Sequence, residues 1–306
     1  MKNNGSRLGR DLLRDKYLYL FLLPGMLYFL VFKYLPLYGE LIAFKNFNVV
    51  KGVWGSDWVG LKHFERLFHD PYFWGILRNT LLLNLYNILF VFPAPILLAL
   101  LLNEVRISWF KRTVQNMLYL PHFISWVVLS GLVIAILSPS TGFVNFFLDK
   151  VLGIEPIYFM ASIFWWPVVF TVSSIWQSAG WGTILYLAAM SNIDTQLYEA
   201  AKIDGASKLR QVWHITLPGI RGTIAILLIL QMGHVMDVGF EQVFNLQNSA
   251  VLEVADVIST YVYRVGLMSA QYSFATAVGL FQGVIGLILV LLVNKAIKMM
   301  GEGGLW

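Results

Sequence analysis

The sequence predicts an all-α membrane protein with six transmembrane helices. Of its 306 residues, 58 % are hydrophobic and only 13 % are charged, whereas a soluble domain carries about a quarter charged residues. Six apolar segments are long enough to cross a hydrocarbon core about 30 Å thick as helices. The chain has no cysteine, which excludes disulfides, cysteine-based zinc sites and thiol catalysis. No basic patch is interleaved with exposed aromatic residues, so nucleic-acid binding has little support.

The six segments follow one another from near the N-terminus to near the C-terminus. They are Tyr17–Leu41, Phe73–Leu102, Val114–Leu137, Ile163–Met190, Gly222–Phe244 and Tyr272–Val293. Several exceed 20 residues, which predicts tilted helices. The first follows basic residues as a signal peptide would, but it is too long and lacks a small-residue cleavage site. We therefore expect a retained anchor.

Charge predicts the orientation of these helices. An even number of spans places both termini on one side, and basic residues mark the cytoplasmic side. With the N-terminus inside, 14 of the 22 basic residues are cytoplasmic. They are Lys2, Arg7, Arg10, Arg14, Lys16, Arg106, Lys111, Arg112, Lys202, Lys208, Arg210, Arg221, Lys295 and Lys298. Both termini are thus expected in the cytoplasm.

The spans divide the chain into four regions. These are a basic cytoplasmic tail (1–16), the first helix with an outer interfacial segment (17–71), a five-helix core (72–294) and a cytoplasmic tail (295–306). Within the outer segment, Gly60–Phe68 has apolar residues at helical spacing, which predicts a short interfacial helix that ends at Asp70-Pro71. Phe143–Leu152 has a similar pattern.

The loop 191–221 between the fourth and fifth spans predicts a helix-turn-helix. Asp194 can cap a first helix of good helix formers, and Asp204-Gly205 supplies a turn because glycine accepts positive φ. A second helix begins at Ala206 and is expected to end at Leu217-Pro218. The loop is too polar to insert into lipid, and its tip is rich in alanine.

The same loop carries a recognisable pattern. Glu199-Ala200-Ala201 is followed after three residues by Gly205 and after nine more by Ile215-x-Leu217-Pro218. With every position matched, this resembles the signature loop of the permease subunits of ATP-driven importers, the type I ABC importer fold. Four further stretches resemble the carbohydrate permeases of the maltose-type group, above all those that import fragments of complex polysaccharides such as pectin or alginate. They are Leu22–Gly25, Arg78–Thr80, Leu118–Pro121 and Ala255–Leu267.

The resemblance implies a division of labour between subunits in a bacterial cell membrane. In that family the loop is a coupling helix seated on the ATPase, and its docking tip would be Glu199, Ala200, Ala201, Asp204, Gly205 and Ala206. The implied partners are a second homologous permease, two ATPase subunits, an extracellular solute-binding protein and an oligosaccharide. This chain contains no G-x-x-x-x-G-K-[ST] motif, so it is not expected to be an enzyme. ATP and Mg²⁺ belong on the partner, and no cofactor or metal is expected here. In the alternative interpretation, the loop packs only on its own helices.

Polar residues inside the spans are candidates for contact with the solute, because they are costly in lipid. Gln231, His234, Asp237 and Glu241 are spaced three, three and four apart, which would place them along one side of a helix. Gln177 and Trp181 in the fourth span and Gln282 in the sixth are further candidates. Packing between helices would account for them equally.

Two other transport functions compete with the sugar importer. A buried His234 with a carboxylate at position 237 or 241 is compatible with a proton-coupled secondary transporter, although that leaves the Glu199 loop unexplained. A permease of the same class for a non-sugar solute is the second alternative. An intramembrane hydrolase has no support, because neither H-E-x-x-H nor a Ser/His/Asp set stands out.

Overall fold

A computed structural model describes residues 14–299, which are almost entirely helical. The tail residues 1–13 and 300–306, with Lys2, Arg7 and Arg10, lie outside the described residues. The described chain forms two compact units, one of residues 14–67 with 265–280 and one of residues 68–264 with 281–299.

The first unit begins with one long helical run. Helix α1 (Lys16–Phe29) continues through a π-helical turn (Leu30–Tyr34) into a 3-10 helix (Leu35–Phe44). Residues 17–38 are all exposed, because nothing else in this unit packs around them. The expected span Tyr17–Leu41 thus forms a helix, and no residue of α1 is buried.

A two-stranded β-ribbon and residues 265–280 complete the first unit. Strands β1 (Lys45–Asn46) and β2 (Asp57–Trp58) pair antiparallel, with Lys45 opposite Trp58, and helix α2 (Gly52–Gly55) lies between them. The Phe47 amide donates to Ser273 Oγ at 2.9 Å, and the Arg66 guanidinium lies 4.3 Å from the ring centre of Phe274. These contacts attach the segment after α1 to residues 265–280.

The second unit holds most of the remaining helices. In chain order the helices are α3 (Lys62–His69, which begins in the first unit), α4 (Pro71–Tyr86), α5 (Pro93–Glu104), α6 (Ser108–Tyr119), α7 (Trp126–Leu137), α8 (Phe143–Leu152), α9 (Trp165–Ser191), α10 (Thr195–Ile203), α11 (Lys208–Gln211), α12 (Leu217–Gly233), α13 (Phe240–Leu246), α14 (Leu252–Ala255), α15 (Ile258–Val262) and α16 (Tyr272–Met299). Short connecting turns are π-helical (Asn87–Val91, Val212–Thr216, Tyr263–Met268) or 3-10 (Leu120–Phe123, Phe159–Ala161). The short helices α3 and α8 confirm the two predicted from their apolar spacing.

The core of this unit is centred on α9. Trp166 and Phe170 are fully buried and pack with Leu83, Val243 and Val257. A second cluster further along α9 joins Tyr186 and Met190 to Ala99 and Ile220. Because α9 packs on helices to either side along its whole length, it positions most of the residues considered below.

Pro93 coincides with a change of helix geometry. Proline cannot donate to the carbonyl four residues back and its ring clashes there. Before Pro93, the Phe92 amide instead donates to Asn87 O, five residues back, at 2.8 Å. This π-helical turn keeps α4 and α5 in one run, so the predicted span Phe73–Leu102 forms.

Four helical runs are long and apolar enough to cross a membrane in the described residues. They are Lys16–Phe44, Pro71–Glu104, Lys208–Gly233 and Tyr272–Met299. A fifth is reached if Ser108–Phe123 and Trp126–Leu137 count as one span, although they are bent by 107°. The expected span Val114–Leu137 is therefore not one straight helix. Helix α9 (Trp165–Ser191) has 27 residues and covers most of the expected span Ile163–Met190, although it is not one of these runs.

Candidate functional site

Residues 194–211 form a helical hairpin whose local geometry follows its sequence. Asp194 Oδ1 accepts from the Gln196 amide at 2.9 Å and caps α10, as predicted. At the other end Gly205 has φ +73°, its amide donates to Lys202 O at 3.1 Å, and the Ala206 amide donates to Ala201 O at 2.8 Å. This is the glycine-based helix ending known as a Schellman motif. The hairpin predicted from the sequence is confirmed, with its second helix beginning at Lys208.

The tip of the hairpin exposes both charge and apolar surface. Glu199, Asp204 and Gly205 are exposed, and Glu199 makes no ion pair with any residue from 14 to 299. Ile203 is 87 % exposed, and Leu209 and Trp213 are mostly exposed as well. Large apolar side chains exposed on or beside a polar loop are typical of a surface that binds another protein.

Two contacts hold the hairpin against the rest of the unit, and a third joins its second helix to its own turn. Tyr198 Oη lies 2.9 Å from Thr216 Oγ1, and Gln211 Nε2 donates to Ala206 O at 2.9 Å. Lys208 Nζ pairs with Glu104 Oε2 at 2.7 Å, at the end of α5. The first two bonds are partly buried, so they resist competition from water. The hairpin is thus fixed at its base and free at its tip.

The second helix of the hairpin does not end at Leu217-Pro218, contrary to the prediction. The helical run continues from Lys208 to Gly233. In the π-helical turn Val212–Thr216 the Leu217 amide donates to Val212 O, five residues back, and this wider turn accommodates Pro218 without a break. The second helix of the hairpin and α12 therefore form one continuous helix.

The predicted polar stripe of the fifth span is wrong as a helical stripe. Helix α12 ends at Gly233, and His234 and Asp237 lie in a turn before α13 starts at Phe240. The Asp237 amide donates to His234 O at 2.8 Å, and Asp237 Oδ1 accepts from the Gly239 amide at 3.1 Å. Gly239 has φ +90°, which only glycine adopts without strain. The expected span Gly222–Phe244 is thus interrupted.

Gln282 reaches this interruption from α16. Its Nε2 donates to Met236 O at 2.6 Å, so it satisfies a backbone carbonyl that the broken helix leaves free. His234 and Asp237 are exposed, whereas Gln231 and Gln282 are half-buried. The structure therefore brings Gln282 to the segment that carries His234 and Asp237.

Gln177 and Trp181 lie one turn apart on α9, next to the bend after α6. Gln177 Nε2 is 3.5 Å from His122 O. The Trp181 indole is parallel to the His122 imidazole, with ring centres 4.8 Å apart. These two predicted residues therefore share a site with His122, which the sequence did not single out because it lies far away in the chain.

Ser173 and Ser174, on the same helix, are packing residues. Gln242 Nε2 donates to Phe170 O at 2.9 Å and to Ser173 Oγ at 3.1 Å. Ser174 Oγ donates to Gln242 Oε1 at 2.9 Å. All three polar side chains are buried, so these bonds join α13 to α9.

A cavity of about 700 Å³ lies along α4 and α9. Its walls are mainly apolar and include Leu82, Tyr86, Phe164 and Val168, with Arg78 and Glu253 also among its lining residues. None of the predicted solute residues lines it. Among residues 14–299, no group of three or more His, Asp or Glu side chains is placed to hold a metal ion.

Residues 75–299 match the family described as the inner membrane component of binding-protein-dependent transport systems. The chain belongs to this family. It is a permease component of a binding-protein-dependent importer, and the exposed hairpin and the interrupted helices lie within the matched region.

Two relatives from Bacillus subtilis (strain 168) cover nearly the whole permease. The polygalacturonan/rhamnogalacturonan transport system permease protein YteP is 50 % identical over 100 % of this chain and 95 % of its own length. Protein LplB is 48 % identical over 96 % of this chain and 92 % of its own.

A solved structure confirms the fold of the permease. One chain in the crystal structure of a bacterial alginate ABC transporter, in complex with an alginate pentasaccharide-bound periplasmic protein, superposes with a TM-score of 0.90. It is 43 % identical, and the match covers 98 % of this chain and 100 % of that one.

The contacts explain two motifs of the permease whose role the sequence left open. Asn79 Nδ2 donates to the carbonyls of Glu253 at 2.8 Å and Asp256 at 3.1 Å. Thr80 Oγ1 accepts from the Ile258 amide at 3.0 Å. The stretch Arg78–Thr80 thus satisfies the backbone of the segment around Ala255–Leu267, and the two motifs belong to one contact.

Asp256 is the centre of this contact and was missed by sequence reasoning. Its carboxylate is 1 % exposed and forms an ion pair with Arg264. It also accepts from Tyr72 Oη at 2.7 Å and from Thr260 Oγ1 at 2.8 Å. The hydrogen bond to Asp256 raises the pKa of the Arg264 guanidinium above its usual value, so Arg264 keeps its charge at any ordinary pH.

Proposed function

We propose that this permease carries an oligosaccharide, a fragment of a complex polysaccharide, across the bacterial cell membrane. The relatives support this cargo, because one is named for polygalacturonan and rhamnogalacturonan transport and the alginate transporter structure holds an alginate pentasaccharide on its periplasmic protein. Membership in a binding-protein-dependent family favours ATP as the energy source over a proton gradient.

The hairpin of residues 194–211 couples the permease to the ATPase in this proposal. In this proposal Glu199, Ala200, Ala201, Asp204, Gly205 and Ala206 seat in a groove of an ATPase subunit, which holds ATP and Mg²⁺. The observation that carries this is the exposed tip on a fixed base, continuous with α12 from Lys208 to Gly233. Because a helix is stiff, a displacement of the tip is passed to the apolar helices as a rigid-body movement.

The solute passes near the interrupted helices. Gln231, His234, Asp237 and Gln282 lie at or contact the break after α12, and Gln177 and Trp181 lie beside the bend after α6. Discontinuous helices in transporters expose polar backbone groups where the substrate binds. Amide, imidazole and carboxylate groups suit sugar hydroxyls, which both donate and accept hydrogen bonds.

The permease works as one subunit of a larger assembly. The proposal includes a second homologous permease, two ATPase subunits and an extracellular binding protein, with six spans and both termini of this chain in the cytoplasm. The complete exposure of residues 17–38 supports a first helix that is covered by lipid or by the partner permease. This chain itself binds no cofactor and catalyses no reaction.

Reconstitution in proteoliposomes tests the proposed function. The full assembly with its binding protein should accumulate galacturonate oligomers when ATP is enclosed with the ATPase subunits. Uptake should persist with a protonophore and should stop when ATP is replaced by a non-hydrolysable analogue. Uptake that needs a proton gradient and ignores ATP would contradict the proposal.

A further inference from the structure

The connection from α5 to α6 gathers three positive charges within seven residues. They are Arg106, Lys111 and Arg112. Three large apolar residues are interleaved with them: Ile107, Trp109 and Phe110. This short stretch is an exception to the expectation that basic residues are not interleaved with exposed aromatic ones. We call residues 106–112 the cationic segment.

Helix α6 continues from this segment with one side packed and the other side open. A Cβ at Gly180 of α9 would lie 1.9 Å from the Leu118 carbonyl oxygen, so α6 meets α9 at backbone contact distance. Nine residues of helix place Trp109 on the side opposite Leu118. Trp109 is 70 % exposed and Met117 is 69 % exposed. The open side of α6 is therefore apolar well beyond its first turn.

The three cations have no partner within the described chain. The side chains of Arg106, Lys111 and Arg112 form no ion pair or hydrogen bond with any residue from 14 to 299. Glu104, the carboxylate closest in sequence, pairs instead with Lys208 Nζ at 2.7 Å. The cationic segment is thus complementary to an anion that another molecule must supply.

The proposed orientation places the cationic segment at the cytoplasmic surface of the membrane. Tryptophan and basic residues at the end of an apolar helix are typical of the membrane–water interface. Anionic headgroups of the cytoplasmic leaflet attract lysine and arginine close to that surface. Because the open apolar side of α6 continues into the predicted span Val114–Leu137, lipid suits this surface better than a water-soluble subunit does.

We propose that the cationic segment binds anionic phospholipids of the cytoplasmic leaflet. Arg106 and Arg112 donate to phosphate oxygens, while Trp109 packs at the boundary between headgroups and acyl chains. The Glu104–Lys208 ion pair places this lipid site beside the coupling hairpin. The inference rests on the orientation given under the proposed function and adds a lipid ligand to it.

Fluorescence quenching in lipid nanodiscs tests the site. The chain has no native cysteine, so a fluorophore on Ser108→Cys, in an assembly with cysteine-free partner subunits, reports the lipid beside the segment. Brominated phosphatidylglycerol should quench it more than brominated phosphatidylcholine at the same mole fraction. Arg106→Gln and Arg112→Gln should each lower this preference about fivefold, the effect of one cation near a charged surface.

Two further variants control for charge and for position. Arg112→Lys should retain most of the preference because it keeps the positive charge. Lys62→Gln removes an exposed cation from α3 and should leave the quenching at position 108 unchanged. Thermal unfolding and ATPase binding should match the original protein in all four variants.

The outcomes separate the lipid site from its alternatives. Equal quenching by the two lipids in the unaltered assembly would overturn the site, as would an unchanged preference in both Arg106→Gln and Arg112→Gln. Loss of the ATPase from these two variants, with unchanged quenching, would overturn it in favour of a contact with the ATPase. Reaction of Ser108→Cys with an impermeant maleimide on intact cells would instead contradict the orientation that the proposed function includes.

Discussion

Gly180 shows how one missing side chain decides the packing of two helices. Any Cβ at this position would overlap the Leu118 backbone, and a backbone cannot move aside as a flexible side chain does. We expect Gly180→Ala to separate α6 from α9 and to destabilise the protein by about 3 kcal/mol. Thermal unfolding of the purified permease in detergent measures this change.

Gly131→Ala is the control for that substitution. Gly131 lies within α7, and a Cβ there would meet nothing within 4 Å. Because alanine favours helix over glycine, this variant should be unchanged or more stable by about 1 kcal/mol. Equal unfolding temperatures for both variants would show that the contact at Gly180 is not close.

Asp256 concentrates the polar bonds between α4 and the segment 253–264. Asp256→Ala would remove the buried carboxylate that accepts from the Arg264 guanidinium and the Tyr72 hydroxyl. Removing one partner of a buried ion pair costs about 3–5 kcal/mol, and we expect the lower end because Arg264 is about one-third exposed. Thermal unfolding should show the loss, whereas Asp149→Ala, which removes an exposed carboxylate, should unfold normally.

At the scale of elements, the hairpin depends on the backbone conformation of Gly205. Its φ of +73° strains residues other than glycine, but a Cβ would meet nothing within 4 Å. Gly205→Asn should therefore keep ATPase binding and uptake, since asparagine tolerates this region. Gly205→Val should misplace the tip and lower both, because β-branched residues disfavour it.

Co-purification of the ATPase with the permease, followed by uptake, checks the Gly205 pair. Insertion of the permease into the membrane is the control, and it should be the same for both variants. Full coupling in Gly205→Val would show that the turn geometry is dispensable for docking.

The hairpin could be predicted from sequence because its determinants are local. Asp194 caps the helix that begins at the next residue by accepting from the Gln196 amide, and Gly205 provides the positive φ that ends it. A capping aspartate and a terminating glycine act within one helical turn, so they can be recognised in a single sequence. The two short helices α3 and α8 were predictable for the same reason.

The breaks within the predicted spans could not be predicted from the sequence. Hydrophobicity indicates that a segment can lie in lipid, but it does not indicate whether its helix is continuous. The stretch Gly222–Phe244 is mostly apolar, yet Gly239 and a turn at His234 divide it. Conversely, Pro218 looked like a helix end, but a π-helical turn absorbs it. Both outcomes depend on which carbonyls find partners in three dimensions, as Gln282 does at Met236.

At the scale of the whole molecule, the sites missed by sequence reasoning are built from distant residues. Tyr72 meets Asp256, and His122 meets Trp181. A single sequence does not show which of its distant residues are in contact, because those contacts depend on how the helices pack. Of these residues, only Trp181 had been a candidate in advance, together with Gln177 on the same helix.

The proposed orientation makes a labelling prediction for the intact cell. The chain has no native cysteine, so single cysteines report cleanly. Val50, which is 95 % exposed and expected outside, should react as Val50→Cys with a membrane-impermeant maleimide. Ile203→Cys should react only after the cells are opened. The reverse pattern would contradict the orientation.

The central claim is that force from the ATPase enters this permease through the hairpin tip. Photo-crosslinking from position 203 in the assembled importer tests it most directly, with position 50 as the control. We predict a covalent adduct between position 203 and an ATPase subunit, and none from position 50. An adduct missing at position 203 while the ATPase remains bound to the assembly would contradict the claim.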